Sequence, residues 1–312
     1  MTFLSDSALD RLRAAADAPD LSGTRYRLVG KLGQGGMGGV YRVEDTALGR
    51  EVALKVIGVA DPAGDLAARL LREARVIARL EHPGIIPVHD VETLPDGCVF
   101  YTMKLVQGRR LDEHIAELGT IADRLRIFEK ICEAVSFAHS HGVLHRDLKP
   151  QNIMVGPFGE VLVMDWGISK VMGERDSKGG RACGKDETGH GTVLGTPGYM
   201  APEQARGEAA DERSDIYSLG AVLQFMNSGD ERSKVVSAIC AKAMADDRAQ
   251  RYCSVRDLGQ DVAHFLDALP VSAYPESWLT RTWRWADKNR AWLLLILAYL
   301  VMRTLFILWR GN

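Results

Sequence analysis

The sequence predicts an α+β chain in two lobes, a small β-rich lobe and then a larger helical one, with a transmembrane helix near its C-terminus. Three observations carry this. Apolar residues alternate in short runs from Tyr26 to Lys104, recur with a helical period from about Leu111 to Leu269, and become almost continuous from Trp292 to Trp309. At 312 residues, 46% hydrophobic and 26% charged, the chain is long enough to bury a full core, and the composition fits neither disorder nor a fibrous repeat. The expected divisions are an N-terminal extension over residues 1–25, a first lobe over 26–104, a second over 105–270, a juxtamembrane segment over 271–291 and the span over 292–309.

Taken in order, Leu4, Leu9 and Leu12 give the extension a weak helical stripe that ends near Pro19. Strand-like runs follow at 26–32, 39–43, 51–57, 88–92 and 98–103. One helix-like segment, DLAARLLREARVIARL, interrupts them before the His82-Pro83-Gly84 break. The second lobe is read from IADRLRIFEKICEAVSFAHSHG and VRDLGQDVAHFLDAL, with a Gly- and charge-rich loop between Gly173 and Gly191.

Charge and cysteine usage narrow the function classes. Thirty-nine basic and 41 acidic residues leave a formal charge of -2, so no global field points to nucleic acid as a partner. Five widely spaced cysteines contain no CxxC pair that would suggest a zinc or redox site, and they read as reduced, cytosolic thiols. The opening MTFLSDSALD carries acid where a signal peptide needs base.

The first lobe opens with a phosphate-binding signal. Gly33, Gly35 and Gly38 in LGQGGMGGVY fit GxGxxGxV. A dinucleotide fingerprint would lead from strand into helix, whereas these glycines lie between two strand-like runs, as in a hairpin that covers a nucleotide. Seventeen residues beyond Gly38, Lys55 stands in the apolar strand EVALKVI, where a cation needs a partner or an anionic ligand. Glu73, in the middle of LLREARVIARL, is its natural counter-charge.

In the second lobe HGVLHRDLKPQNIMV is followed by VLVMDWGIS and GTPGYMAPEQ. With the Gly-rich hairpin and Lys55, these motifs make the chain resemble the eukaryotic-type (Hanks-type) Ser/Thr protein kinases, in particular the bacterial membrane-anchored kind, over Tyr26 to about Leu269. The resemblance implies the bilobal protein kinase fold, with ATP and Mg²⁺ as cosubstrate and metal and Mn²⁺ as an alternative. It implies that Asp147 accepts the substrate hydroxyl proton, that Asn152 and Asp165 hold the metal, and that Lys149 reaches the γ-phosphate. Lys55 would hold the α- and β-phosphates with Glu73 orienting it. Val40, Ala53, Met103 and Met154 would enclose the adenine, with Met103 as gatekeeper and the backbone of Lys104 to Val106 along its edge. Lys149 two residues after Asp147, with Thr196 placed to contact both, implies Ser/Thr specificity. Arg146 implies control by an activation-segment phosphate, with Thr192 the first candidate and Thr188 the second. Asp215 should brace the catalytic loop and Glu203 should pair with Arg251. Trp166 stands where relatives carry Phe, so a stack with Ile77 and His145 must take a larger ring. His139, His141 and His145 are explained by a helix end leading into the loop rather than by a metal cluster.

Two features depart from the family pattern. Relatives carry a proline-rich loop and a further helix between the helices bearing Asp215 and Ile239. Here QFMNSGDERSK leaves no room for them, which puts substrate docking in question and is expected to uncover apolar surface. The second departure is an insertion, VMGERDSKGGRACGKDETGHG, between Asp165 and Glu203.

The run WLLLILAYLVMRTLFILW would reach about 27 Å as a helix, enough for a thin bilayer. Its eleven Leu, Ile, Val and Phe residues outweigh Arg303, which lies near enough to Trp309 to snorkel. Trp278, Trp283, Trp285, Trp292 and Trp309 suit membrane interfaces, and Arg281, Arg284, Lys288 and Arg290 place the preceding side in the cytoplasm. The expectation is thus a single-pass protein of the cell membrane with a cytoplasmic kinase domain and no extracellular sensor. Its partners would be the lipid bilayer and protein substrates, namely itself and membrane-proximal proteins. The alternative is a non-catalytic kinase-like module that binds nucleotide or partners at the membrane. Lys55, Glu73, Asp147, Asn152 and Asp165 are all present, whereas such a module has lost at least one of them.

Overall fold

The computed structural model describes residues 18–35, 38–56, 65–166, 198–228, 234–274 and 289–290, together with 292, 293, 295, 296, 299, 302, 303 and 309. The weak stripe before Pro19, Thr188, Thr192, Thr196 and most of the predicted span lie outside these residues.

The first layer is a five-stranded antiparallel sheet in the order β1-β2-β3-β5-β4, with β1 Tyr26–Gly35, β2 Gly38–Asp45, β3 Arg50–Val56, β4 Val88–Thr93 and β5 Val99–Lys104. Helix α1, Asp65–Ile77, crosses between β3 and β4. Side chains alternate across a strand, so each strand feeds two clusters. Val52, Leu54, Val56 and Phe100 pack on one face with Tyr26, Tyr41 and Val43. On the other, Val99 and Tyr101 pack against Leu70 and Ala74 of α1. β1 runs beyond the expected end at 32 because Gly33, Gln34 and Gly35 still pair with Val40, Gly39 and Gly38. Gly38 has φ 145°, a backbone closed to most side chains, and this lets the hairpin reverse there.

The second layer is helical. Arg109–Arg110 (β6) leads into the short α2, Leu111–His114, and then α3, Ile121–Ser140. α3 starts where it does because Thr120 and Asp123 cap each other's backbone amides. β7 Ile153–Val155 and β8 Val161–Val163 form a small sheet with β6. The remaining helices are α4 Pro202–Ala205, α5 Glu212–Asn227, α6 Lys234–Ala243 and α7 Val255–Leu266. Phe128, Ile131, Val135, Leu219, Ile239 and Leu258 share one core with Trp166.

Helix α6 begins at Lys234, seven positions after α5 ends at Asn227, so the connection has no length for another helix. Gly220 lets the two helices meet closely, since a Cβ there would come within 2.7 Å of Ala243 Cβ. The apolar surface expected from the shortened lobe is not found among the described residues, and that expectation is corrected. Leu219, Val222, Leu223, Met226, Val236 and Ile239 are buried, and Phe225 and Val235 are partly covered against the same core. Closure of α6 directly onto α5 fills the space instead.

Candidate active site

A cavity of about 740 Å³ lies between the sheet and the helical layer. Gly33, Gly38, Val40 and Ala53 line its roof, Met103 to Val106 its back, and Met154 its floor. Its polar end is formed by Lys55, Glu73, Asp147, Asn152 and Asp165. The chain thus brings together residues spread over more than a hundred positions. Gly35 sits beside the mouth, paired with Gly38 across the hairpin.

Strand period explains the roof and part of the polar end. Ala53 and Lys55 point away from the cluster that holds Val52, Leu54 and Val56. Lys55 Nζ donates to Glu73 Oε1 at 2.8 Å and to Asp165 Oδ1 at 3.3 Å. Burial would lower the Lys55 ammonium, but the oxygens of Tyr101, Glu73 and Asp165 around it outweigh that and raise it above its ordinary range. The result is a permanent cation facing a cavity.

The loop after α3 is organised by a buried carboxylate. Asp215, on α5, accepts from the backbone amides of His145 at 2.8 Å and Arg146 at 2.7 Å, and pairs with His139 Nε2 at 2.8 Å. Burial alone would push the Asp215 carboxyl up, yet these donors, His139 first, hold it below the usual carboxylate range. The tie forces Arg146 to φ 68°, and Asp165 sits at φ 56°, both left-handed conformations that non-glycine residues seldom adopt. His145 Nε2 donates to Met164 O at 2.8 Å while its Nδ1 accepts from the Asp147 amide at 3.3 Å. Burial keeps this imidazole below its ordinary pKa, hence neutral, as its two bonds require.

Asp147 is held from two sides. Lys149 Nζ lies 2.7 Å from Asp147 Oδ2, and Asn152 Nδ2 donates to the Asp147 carbonyl at 2.9 Å and to Oδ2 at 3.3 Å. With its amide nitrogen so engaged, Asn152 offers its oxygen as a ligand, and Asp165 offers a carboxylate that is 56% exposed. Two hard oxygens beside open space suit Mg²⁺, which keeps waters and takes phosphate oxygens rather than a full protein cage. Among the described residues no group of three or more His, Cys, Asp or Glu could hold a metal ion.

Trp166 is fully buried, with its ring centroid 4.8 Å from that of His145 and Ile77 in the same core. Its indole Nε1 donates to Val163 O at 3.1 Å, a bond that the smaller Phe could not make. Farther down, Arg251 reaches Glu203 in two bonds, Nη1 to Oε1 at 2.7 Å and Nη2 to Oε2 at 2.8 Å, and Ser214 adds a third donor at 2.8 Å. Burial by itself raises the Glu203 carboxyl, but the Arg251 fork dominates and brings it down to about 2.

Three contacts had no sequence signal of their own. Gln204 Nε2 donates to Arg146 O at 3.1 Å, which ties helix α4 to the loop bearing Asp147. His139 braces Asp215 from 76 positions away. Tyr101 Oη donates to Glu73 Oε1 at 2.8 Å. Alternation back from Met103 puts Tyr101 on its face, but only sheet register reveals what it meets.

A two-lobed fold with this cavity and this polar constellation defines a protein kinase domain, and the comparisons agree. The family model for the protein kinase domain matches residues 26–269. Serine/threonine-protein kinase PknD of Chlamydia felis is 34% identical over 320 aligned residues, covering 86% of this chain and 33% of that protein. PknD of Chlamydia muridarum is 37% identical over 290, covering 75% and 31%. Among solved structures, the Mycobacterium tuberculosis PknI kinase domain is similar with a TM-score of 0.59 at 26% identity, over 77% of this chain and 96% of that one. This chain belongs to the protein kinase family, among the bacterial Hanks-type Ser/Thr kinases. It spans about a third of the length of the PknD relatives it matches.

Proposed function

We propose that this chain transfers the γ-phosphoryl group of ATP to Ser and Thr hydroxyls of proteins, and that residues 292–309 tether it to a membrane. The convergence of Lys55, Glu73, Asp147, Asn152 and Asp165 on one cavity supports the chemistry, because phosphoryl transfer needs positioned charge more than covalent help. As the substrate oxygen bonds to the γ-phosphorus and the bond to ADP breaks, Asp147 takes the hydroxyl proton. Lys149 sets positive charge beside it, and Lys55, oriented by Glu73, grips the α- and β-phosphates. The Gly33–Gly38 hairpin covers the phosphates, and Val40, Ala53, Met103, Val106 and Met154 enclose the base. Asp165 and Asn152 would hold Mg²⁺ or Mn²⁺, which when bound offsets phosphate charge. The test is incubation of the purified chain with labelled ATP and a generic basic protein. Absence of label on any Ser or Thr would favour the non-catalytic module.

Control by a phosphate is supported by Arg146, whose Nε is buried without a hydrogen-bond partner among the described residues. Phosphorylation of Thr192 or Thr188 would supply an anion for it, while Thr196 would serve in substrate positioning. Autophosphorylation at these sites should raise activity, and mass spectrometry with rate measurements reads it out. Full activity in a Thr188→Ala, Thr192→Ala double variant would dismiss the switch.

Among the described residues no helix is long and apolar enough to cross a membrane. What supports the tether is composition: Trp292, Leu295, Ile296, Tyr299, Met302 and Trp309 are all more than half exposed, an apolar surface that requires cover. The kinase domain would be cytoplasmic, and its substrates would be itself and membrane neighbours concentrated by the shared surface. Truncation after Asp287 should move the protein from membrane to soluble fraction. A truncated chain that stayed in an alkali-resistant pellet would point to another attachment.

A further inference from the structure

The oxygen that holds Lys55 also holds a second donor. Glu73 Oε1 accepts from Lys55 Nζ at 2.8 Å and from Tyr101 Oη at 2.8 Å. Register explains the meeting: Lys55 on β3 lies directly opposite Tyr101 on β5, on the face that α1 covers. The Tyr101 ring centroid is 5.8 Å from Lys55 Nζ, so one side chain touches both members of the pair. Tyr101 is 2% exposed and Glu73 4%, so water has little access to replace either bond.

From this geometry we propose that Tyr101 is a positioning residue, a hydrogen-bond latch that holds α1 against the sheet with Glu73 turned toward Lys55. In this cluster α1 buries Leu70 and Ala74, and its Val76 and Ile77 join the larger core, but apolar contact does not by itself set the rotation of a helix about its axis. A directional bond does. If α1 swung outward, the Tyr101 hydroxyl would stay behind in a dry site without its acceptor, and that penalty weights the equilibrium toward the inward state. The latch is formed wholly by residues of β5 and α1.

This inference rests on the cavity being a nucleotide site, and the test separates the two. MgATP affinity of the full chain is measured for wild type, Tyr101→Phe, Glu73→Ala and the double variant, with thermal melts to verify that each is folded. Tyr101→Phe keeps the ring and removes only the hydroxyl, and it should weaken MgATP binding about 5- to 10-fold in the wild-type background. In the Glu73→Ala background the same change should have little effect, because the acceptor is gone. An equal loss in both backgrounds would mean that Tyr101 acts through packing, and no loss in the first would mean that the hydroxyl positions nothing; either result overturns the latch. A wild-type chain that binds no MgATP would overturn the kinase reading and the latch with it.

Discussion

Asp147→Asn and Lys55→Met should each reduce phosphoryl transfer by about 10²- to 10⁴-fold while the chain stays folded. The two losses have different origins. Asparagine preserves the size of Asp147 and its contacts with Asn152 and Lys149, but it cannot take the proton from the attacking hydroxyl. Methionine keeps the apolar stem of Lys55 and removes the cation, leaving Glu73 and Asp165 without the charge that joins them. Rates with saturating ATP and melting curves on the same samples decide the matter. Wild-type autophosphorylation in either variant would show that the residue lacks the role given to it.

The largest stability effect is expected at Arg251. Arg251→Met should destabilise the fold by about 3–5 kcal/mol, because it removes both bonds of the fork and leaves the fully buried Glu203 carboxylate with Ser214, its backbone donor and the more distant Arg248 Nε at 3.6 Å. A pH dependence accompanies it. Glu203 is held at about 2 when folded against an ordinary value near 4.5, so its contribution is complete above pH 4.5 and disappears as the pH falls toward 2. In the variant this carboxyl takes up its proton at higher pH, so the gap between the two proteins in denaturant melts should narrow on acidification. A gap unchanged from pH 7 to pH 3 would mean that packing of the guanidinium, rather than its charge, is what Glu203 needs.

Much of the architecture was legible in the sequence, because a half-buried strand alternates and a half-buried helix repeats near every 3.6 residues whatever lies opposite. The runs at 51–57 and 98–103 correspond to β3 and β5, and IADRLRIFEKICEAVSFAHSHG begins α3 at its first residue. The motif spacings also located the polar residues that meet in the cavity, since HRDLKPQN is a local unit whose geometry is set over a few bonds. Ends were less legible: the Gly-rich run after Leu32 has low strand propensity, and it pairs only because β2 is already there. Other features depended on chain packing. The expected apolar surface on the short lobe failed because burial depends on which helix arrives from elsewhere, and α6 arrives against α5 through Gly220. His139 and Asp215 are 76 positions apart, and Tyr101 and Glu73 are 28 apart on different elements. Local periodicity cannot specify such pairs. Local sequence sets which residue types stand on which face of each element, because side-chain direction follows from backbone geometry. Which faces meet depends on strand register and helix rotation across the whole fold, and so does the sharing of one Glu73 oxygen between Lys55 and Tyr101.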